Sequence, residues 1–266
     1  MSAPSAVPPA PLEVRDARPE RVALPFGPEQ RVSQLLPALS KVVKEPSGIV
    51  FHPGRGTLFV VGDKGDVAEL TREGEVRQRT RHDGLGFEGI TVGPDGRLFA
   101  IEEKKKPRIH ELDPETLKLK AEYEVYTKLK GERVVGTTGN KSAEGLCYVP
   151  EQDAFYVVNQ SPPWLVKLRV PLDKKEGKAK ALEAVDLSSA VRQQASDVHY
   201  DAATGHFLIT ESGAGLEKGA VHEVTREGQR VGRFFLPGVR AEGLALDGAG
   251  RAYIADDAGG VLRIER

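Results

Sequence analysis

The sequence predicts an all-β chain: a five-bladed β-propeller of four-stranded antiparallel blades, with the ring closed by an N-terminal strand. Three observations carry this. One short element recurs five times, each copy is followed by a tight turn and further apolar runs, and the fifth copy runs to Arg266 with one strand fewer than a full unit. A multi-strand unit repeated every 40 to 56 residues or so is the signature of propeller blades.

The recurring element reads Pro46-Ser47-Gly48-Ile49-Val50, Phe87-Glu88-Gly89-Ile90-Thr91, Ala143-Glu144-Gly145-Leu146-Cys147, Ala195-Ser196-Asp197-Val198-His199 and Ala241-Glu242-Gly243-Leu244-Ala245. Turns rich in Gly, Pro and Asp follow at 52–56, 93–96, 150–153, 201–205 and 247–250, as tight reversal requires. Second runs at 58–63, 98–103, 155–160, 207–212 and 252–257 are β-branched and aromatic, which is strand chemistry. Third runs fall at 67–70, 108–112, 165–168, 220–224 and 261–264, and more polar fourth runs at 76–80 and 231–235. A two-sheet sandwich is the alternative, but it gives no reason for one element to repeat five times. The strand missing from the fifth unit is expected from the N-terminal side, either Arg21–Phe26 or Lys41–Lys44, which would remove free sheet edges.

Seven of the 18 prolines lie within residues 1–30, so 1–20 reads as a flexible Pro/Ala-rich arm and 21–266 as a single propeller domain. The formal net charge of −1 argues against nucleic acid or anionic lipid as a partner. One cysteine, Cys147, excludes an internal disulfide or a multi-thiolate metal site. No stretch reaches the length of a transmembrane helix, and the N-terminus carries no readable signal peptide.

In a propeller blade the first strand lines the central channel, and its start shares one rim, the top, with the end of the second strand. Ser47, Glu88, Glu144, Ser196 and Glu242 therefore form an expected inner ring. Asp63, Glu102, Asn159, Glu211 and Asp256 form an expected second polar ring and a candidate ligand-binding rim. Three carboxylates converging near an axis repel one another unless a cation compensates them. Hard oxygen donors in irregular number favour calcium, whereas magnesium's tight octahedron suits five-fold symmetry poorly. A plain solvated channel is the competing reading.

At these residues the chain resembles the SdiA-regulated family of bacterial propellers. The order Ser, Glu, Glu, Ser, Glu is also similar to that of the calcium-activated nucleotidase (apyrase) propellers. That resemblance implies an axial calcium held by Ser47, Glu88, Glu144, Ser196 and Glu242, and the SdiA-regulated resemblance implies a periplasmic or secreted setting.

The remaining features are expected to be structural. His110 and His222 occupy matching third-strand places, His52 and His199 fall toward the bottom turns, and the six histidines form no ligand set. Lys104–Lys106 reads as a solvated loop that can alternatively meet an anion. Residues 127–141 form a top-side insertion without phosphate-loop context. Residues 173–180 read as a charged hairpin tip, and Trp164 packs between blades or stacks on a ligand. No nucleophile elbow is present. Two functions follow: a calcium-stabilised propeller whose top face binds a small molecule or protein partner, or a calcium-dependent hydrolase of a phosphoanhydride, phosphoester or lactone. The second would use Asp63, Glu102, Glu211 or Asp256 as general base.

Overall fold

A computed structural model describes residues 24, 26, 30–36, 39–136, 142–212, 219–236, 239–256 and 259–265. The arm expected at 1–20 lies outside them. The first strand is β1 (Arg31–Leu36). Four meanders follow, each with its strands hydrogen-bonded in chain order. The first contains β2 (Pro46–His52), β3 (Thr57–Gly62), β4 (Asp66–Leu70) and β5 (Val76–Arg81). The second contains β6 (Phe87–Val92), β7 (Leu98–Glu102), β8 (Arg108–Leu112) and β9 (Leu119–Val125). A short hairpin, β10 (Lys128–Leu129) and β11 (Glu132–Arg133), precedes the third meander, β12 (Ala143–Val149), β13 (Ala154–Asn159), β14 (Trp164–Arg169) and β15 (Glu176–Asp186). The fourth is β16 (Gln194–Asp201), β17 (His206–Ser212), β18 (Gly219–Val224) and β19 (Arg230–Leu236). The last sheet runs β20 (Ala241–Leu246), β21 (Ala252–Asp256), β22 (Gly260–Glu265) and then β1.

The first strands touch one another in cyclic order, β2 to β6, β6 to β12, β12 to β16, β16 to β20 and β20 back to β2. That is a propeller-type arrangement. Apolar side chains between adjacent sheets form separate clusters rather than one central core, as when Phe99 meets Phe155 at 4.9 Å across the second and third meanders. Strand burial falls from the axis outward: every residue of β3 is buried, whereas β5 is largely exposed. Each reversal between a first and second strand includes a left-handed residue, with φ of 66° at Gly56, 73° at Gly96, 44° at Asp153, 73° at Gly205 and 83° at Gly250. Four of the five are glycine because the missing Cβ removes the clash that disfavours this region.

Two expectations are corrected. The strand completing the last sheet is neither Arg21–Phe26 nor Lys41–Lys44 but Arg31–Leu36, paired antiparallel with β22 from Arg31↔Glu265 to Leu36↔Val261. Lys41 ends a single 3-10 turn, Leu39–Lys41, that buries Leu39, and Val43 just beyond it is buried as well. Of 21–26 only Leu24 and Phe26 are described, and both pack against the apolar cluster between the fourth and last sheets. Residues 173–180 are not merely a hairpin tip: Glu176–Ala179 pair in parallel with Glu122–Val125 of β9, fusing the second and third meanders into one eight-stranded sheet. Trp164 lies in β14, half-buried and packed against the apolar cluster of that sheet. No helix among the described residues is long and apolar enough to cross a membrane.

The close approach of the first strands gives a stability prediction. A Cβ on Gly145 would lie 2.4 Å from Val198 N, whereas one on Gly54 would meet nothing nearer than 3.4 Å. Gly145→Ala is expected to cost about 2–4 kcal/mol and Gly54→Ala under about 0.5 kcal/mol, as read by urea denaturation.

Candidate functional site

Every pairing of a first strand with a second strand slips register at one place. The slips fall between Pro46 and Gly48, Phe87 and Gly89, Ala143 and Leu146, Ala195 and Asp197, and Ala241 and Gly243. The residues stepped over include Ser47, Glu88, Glu144, Ser196 and Glu242. All five expected ring residues therefore sit on β-bulges, which re-aim a side chain out of the regular pleat. The following residue is glycine in four copies, and each contacts the next strand of the ring. A Cβ would stand 2.8 Å from Glu88 O at Gly48, 2.7 Å from Glu144 O at Gly89, and 2.8 Å from Ile49 N at Gly243.

The carboxylates of Glu88, Glu144 and Glu242 act on one another, together with Asp63 and Glu103. Burial and then the charges of Asp63 and Glu103 push Glu88 up to about 8, opposed by the nearby Ser47 hydroxyl. Burial first, and then Glu88, Glu103 and Glu242, push Glu144 well above the carboxylate range. Glu144 is 6 % exposed and makes no hydrogen bond with another described side chain, whereas Glu242 accepts one from Ser212 Oγ at 2.8 Å. Burial and Asp63 raise Glu103, opposed by the nearby Ser142 hydroxyl. The two serines differ from the glutamates. Ser47 Oγ donates to Glu45 O at 3.1 Å, and Ser196 Oγ donates to Ala241 O at 2.7 Å and contacts Thr210 Oγ1 at 2.9 Å. As placed, no three carboxylate, imidazole or thiolate groups among the described residues stand together as ligands of one ion.

The second expected ring is divided by strand register. Glu102, Asn159, Glu211 and Asp256 pair with Phe87, Ala143, Ala195 and Ala241, and the residue in that place in the first meander is Gly62, paired with Pro46. These four side chains serve the scaffold. Asn159 Oδ1 accepts Gly136 N–H at 2.7 Å, Glu211 accepts Gln193 N–H at 2.9 Å, and Asp256 accepts Arg240 N–H at 3.2 Å, so each braces the segment entering its own blade. Glu102 contacts His110 at 2.9 Å and pairs with Lys104, and Glu211 bonds His222. Burial pulls both glutamates up, but the hydrogen bonds from these partners hold each below its ordinary value. Each is engaged by a histidine of the neighbouring third strand.

Asp63 lies one step beyond that register, and the residue in the same place in the second meander is Glu103. Sequence reasoning placed Glu102 in the ring and passed over Glu103. The difference lies in the hairpins, since the bulge is common to all five meanders while the innermost pair is His52↔Thr57 in the first and Val92↔Leu98 in the second. Asp197 was also passed over, although its signal was legible as the one acidic residue among four glycines.

The other expectations divide similarly. His110 and His222 are bound to Glu102 and Glu211, and His52 Nε2 contacts Gly96 O at 2.8 Å across two sheets. Burial pushes His199 down to about 4 and the Cys147 thiol up. Lys104 is the member of its lysine run engaged by Glu102, and of 127–141 the structure describes Thr127–Gly136, ending on the Asn159 bond.

Two predictions follow. A carboxyl held protonated in the folded state stabilises the fold fully below its unfolded value and loses that contribution as pH rises through the folded value. For Glu88 the window runs from 4.5 to about 8, with Glu103 and Glu144 raised in the same direction. Chelator-treated protein should therefore lose Tm between pH 5 and 8, as followed by circular dichroism, and Glu88→Gln should flatten the decline. Glu102→Gln breaks a buried charged hydrogen bond and should cost about 1.5–3 kcal/mol in urea unfolding.

The chain resembles solved structures in fold. Myxococcus xanthus glutaminyl cyclase aligns at 16% identity with a TM-score of 0.61, over 88% of this chain and 94% of that one. A protein of unknown function from Bacteroides thetaiotaomicron aligns at 14% with a TM-score of 0.57, over 89% and 76%. A candidate gluconolactonase aligns at 15% with a TM-score of 0.53, over 94% and 96%. No curated protein matches. The sequence profile of the SdiA-regulated family matches residues 30–258, from β1 through the bulged positions to β21, and the chain belongs to that family.

Proposed function

We propose that the chain is a five-bladed propeller, its last blade completed by β1, that binds a calcium ion on the axis and presents the surrounding top face to a small molecule or protein partner. The observation that carries this is Glu144, a buried carboxyl with no hydrogen bond from another described side chain, set among the charges of Glu88, Glu103, Glu242 and Asp63. Left uncompensated, such a group keeps its proton; a divalent cation removes the conflict.

The donor chemistry fits the ion. Glu88, Glu144 and Glu242 offer hard carboxylate oxygens from three bulges, and Ser47 and Ser196 offer hydroxyls from the other two. Calcium accepts 6–8 or so oxygens in irregular arrangement, with water completing the set. When bound, the ion supplies positive charge that lets the glutamates ionise. Asp63 and Glu103 extend the acidic surface outward, whereas Glu102, Asn159, Glu211 and Asp256 hold the scaffold beneath it.

Elemental analysis of purified protein should find bound calcium, and chelation should lower Tm by several degrees. Glu144→Gln should abolish the dependence of Tm on calcium. Absence of calcium, together with an unchanged chelator response in the variant, would falsify the axial site.

A further inference from the structure

Asp197 stands where the other four copies of the repeat have Gly48, Gly89, Gly145 and Gly243. Its Oδ2 accepts the N–H of Leu244, on the following first strand, at 2.8 Å. On the other side, a Cβ added to Gly145 of the preceding first strand would stand 2.6 Å from Asp197 Oδ1. The strands β12 and β20 flank β16 on opposite sides. A β16 side chain that reaches both of them lies in front of its own strand, on the channel axis. Asp197 also interacts electrostatically with Glu242 of the upper ring and with Cys147 of β12.

Asp197 is 2 % exposed; besides Leu244 N–H, the backbone N–H groups of Val198 and Leu146 act on its carboxylate, yet its Oδ1 has no partner in hydrogen-bonding geometry. A buried carboxylate oxygen left without a partner costs free energy, and four glycines show that the fold does not need a side chain here. In the same blade the Ser196 hydroxyl is engaged by Ala241 O and Thr210. Asp197 therefore adds a second oxygen from the same blade, beside that of Ser196.

We infer that Asp197 is the floor ligand of the axial site, giving its unpartnered Oδ1 to the cation from below while Oδ2 stays fixed on Leu244 N–H. This rests on the axial cation reading and adds a fourth carboxylate to it. The site then carries more negative charge than a divalent ion neutralises, which favours tight retention of the ion.

The test is calorimetric titration of calcium into chelator-stripped wild type, Asp197→Asn and Asp197→Gly. Asparagine keeps an acceptor for Leu244 N–H and removes the charge, and glycine restores the residue found in the other repeats. Both variants should bind calcium about tenfold or more weakly, while Asp197→Asn melts near wild type when metal-free. Equal calcium affinity in wild type and Asp197→Asn overturns the assignment and leaves the axial cation standing. No binding by wild type overturns both. Loss of metal-free stability in Asp197→Asn with unchanged calcium affinity marks Asp197 as a structural pin and overturns the assignment. If neither variant folds, a crystal of wild type grown with calcium decides: Oδ1 about 2.3–2.6 Å from the ion supports the assignment, and a distance beyond about 3.5 Å overturns it.

Discussion

The architecture depends on how closely the first strands approach one another around the axis. At Gly48, Gly89, Gly145 and Gly243 the neighbouring backbone occupies the space a Cβ would need, at 2.4–2.9 Å. This contact sets the channel bore, and the bore determines how near the bulged side chains come to one another. A wider ring would leave Glu88, Glu144 and Glu242 hydrated and independent. In the observed ring Glu144 is buried, Glu88 and Glu242 are partly buried, and their charges act on one another.

The bulge and the glycine work as a pair. Glycine lets the strands close up, and the bulge inserts one residue outside the regular ladder just before the point of closest approach. Because the extra residue is unpaired, its side chain can be aimed without breaking the hydrogen bonds below it. Five repetitions of a one-residue irregularity thus build a polar ring on a scaffold that is otherwise apolar between its sheets. Glu102, Asn159, Glu211 and Asp256 show the complementary use of polar groups, tying His110, Gly136, Gln193 and Arg240 to the blade ends.

Much of this was legible in the sequence because it repeats. The five Ser or Glu positions, the turns and the third strands could be read from local chemistry, and the structure puts strands at those places. What could not be read depended on partners distant in the chain. Gly27-Pro28 and Pro37 bracket β1 in the sequence, but its Val32 is exposed and nothing local names β22 as the mate of Arg31–Leu36. The parallel join of β15 to β9 is likewise set by how two meanders meet at their outer edges. The exchange of Glu103 for Glu102 came from counting across hairpins of unequal length, closed at His52↔Thr57 in the first meander and at Val92↔Leu98 in the second, so that equal intervals do not mark equal register. Asp197 was visible in the alignment of repeats but looked like a lapse in a glycine pattern until its two flanking strands gave it a location.

The pairing of β1 with β22 has a further consequence, for biosynthesis. β1 leaves the ribosome before any of the four meanders, yet its partner emerges only after all of them, and domains fold as their parts become available. Through that interval β1 is an unpaired strand attached to a growing stack. Its composition suits the wait, since Arg31, Val32 and Gln34 remain exposed even in the finished fold. The axial ring matures on the same schedule: Glu88 and Glu144 are in place early, Glu242 arrives with the last sheet, and the full convergence of negative charge is deferred until the strands that must withstand it are present.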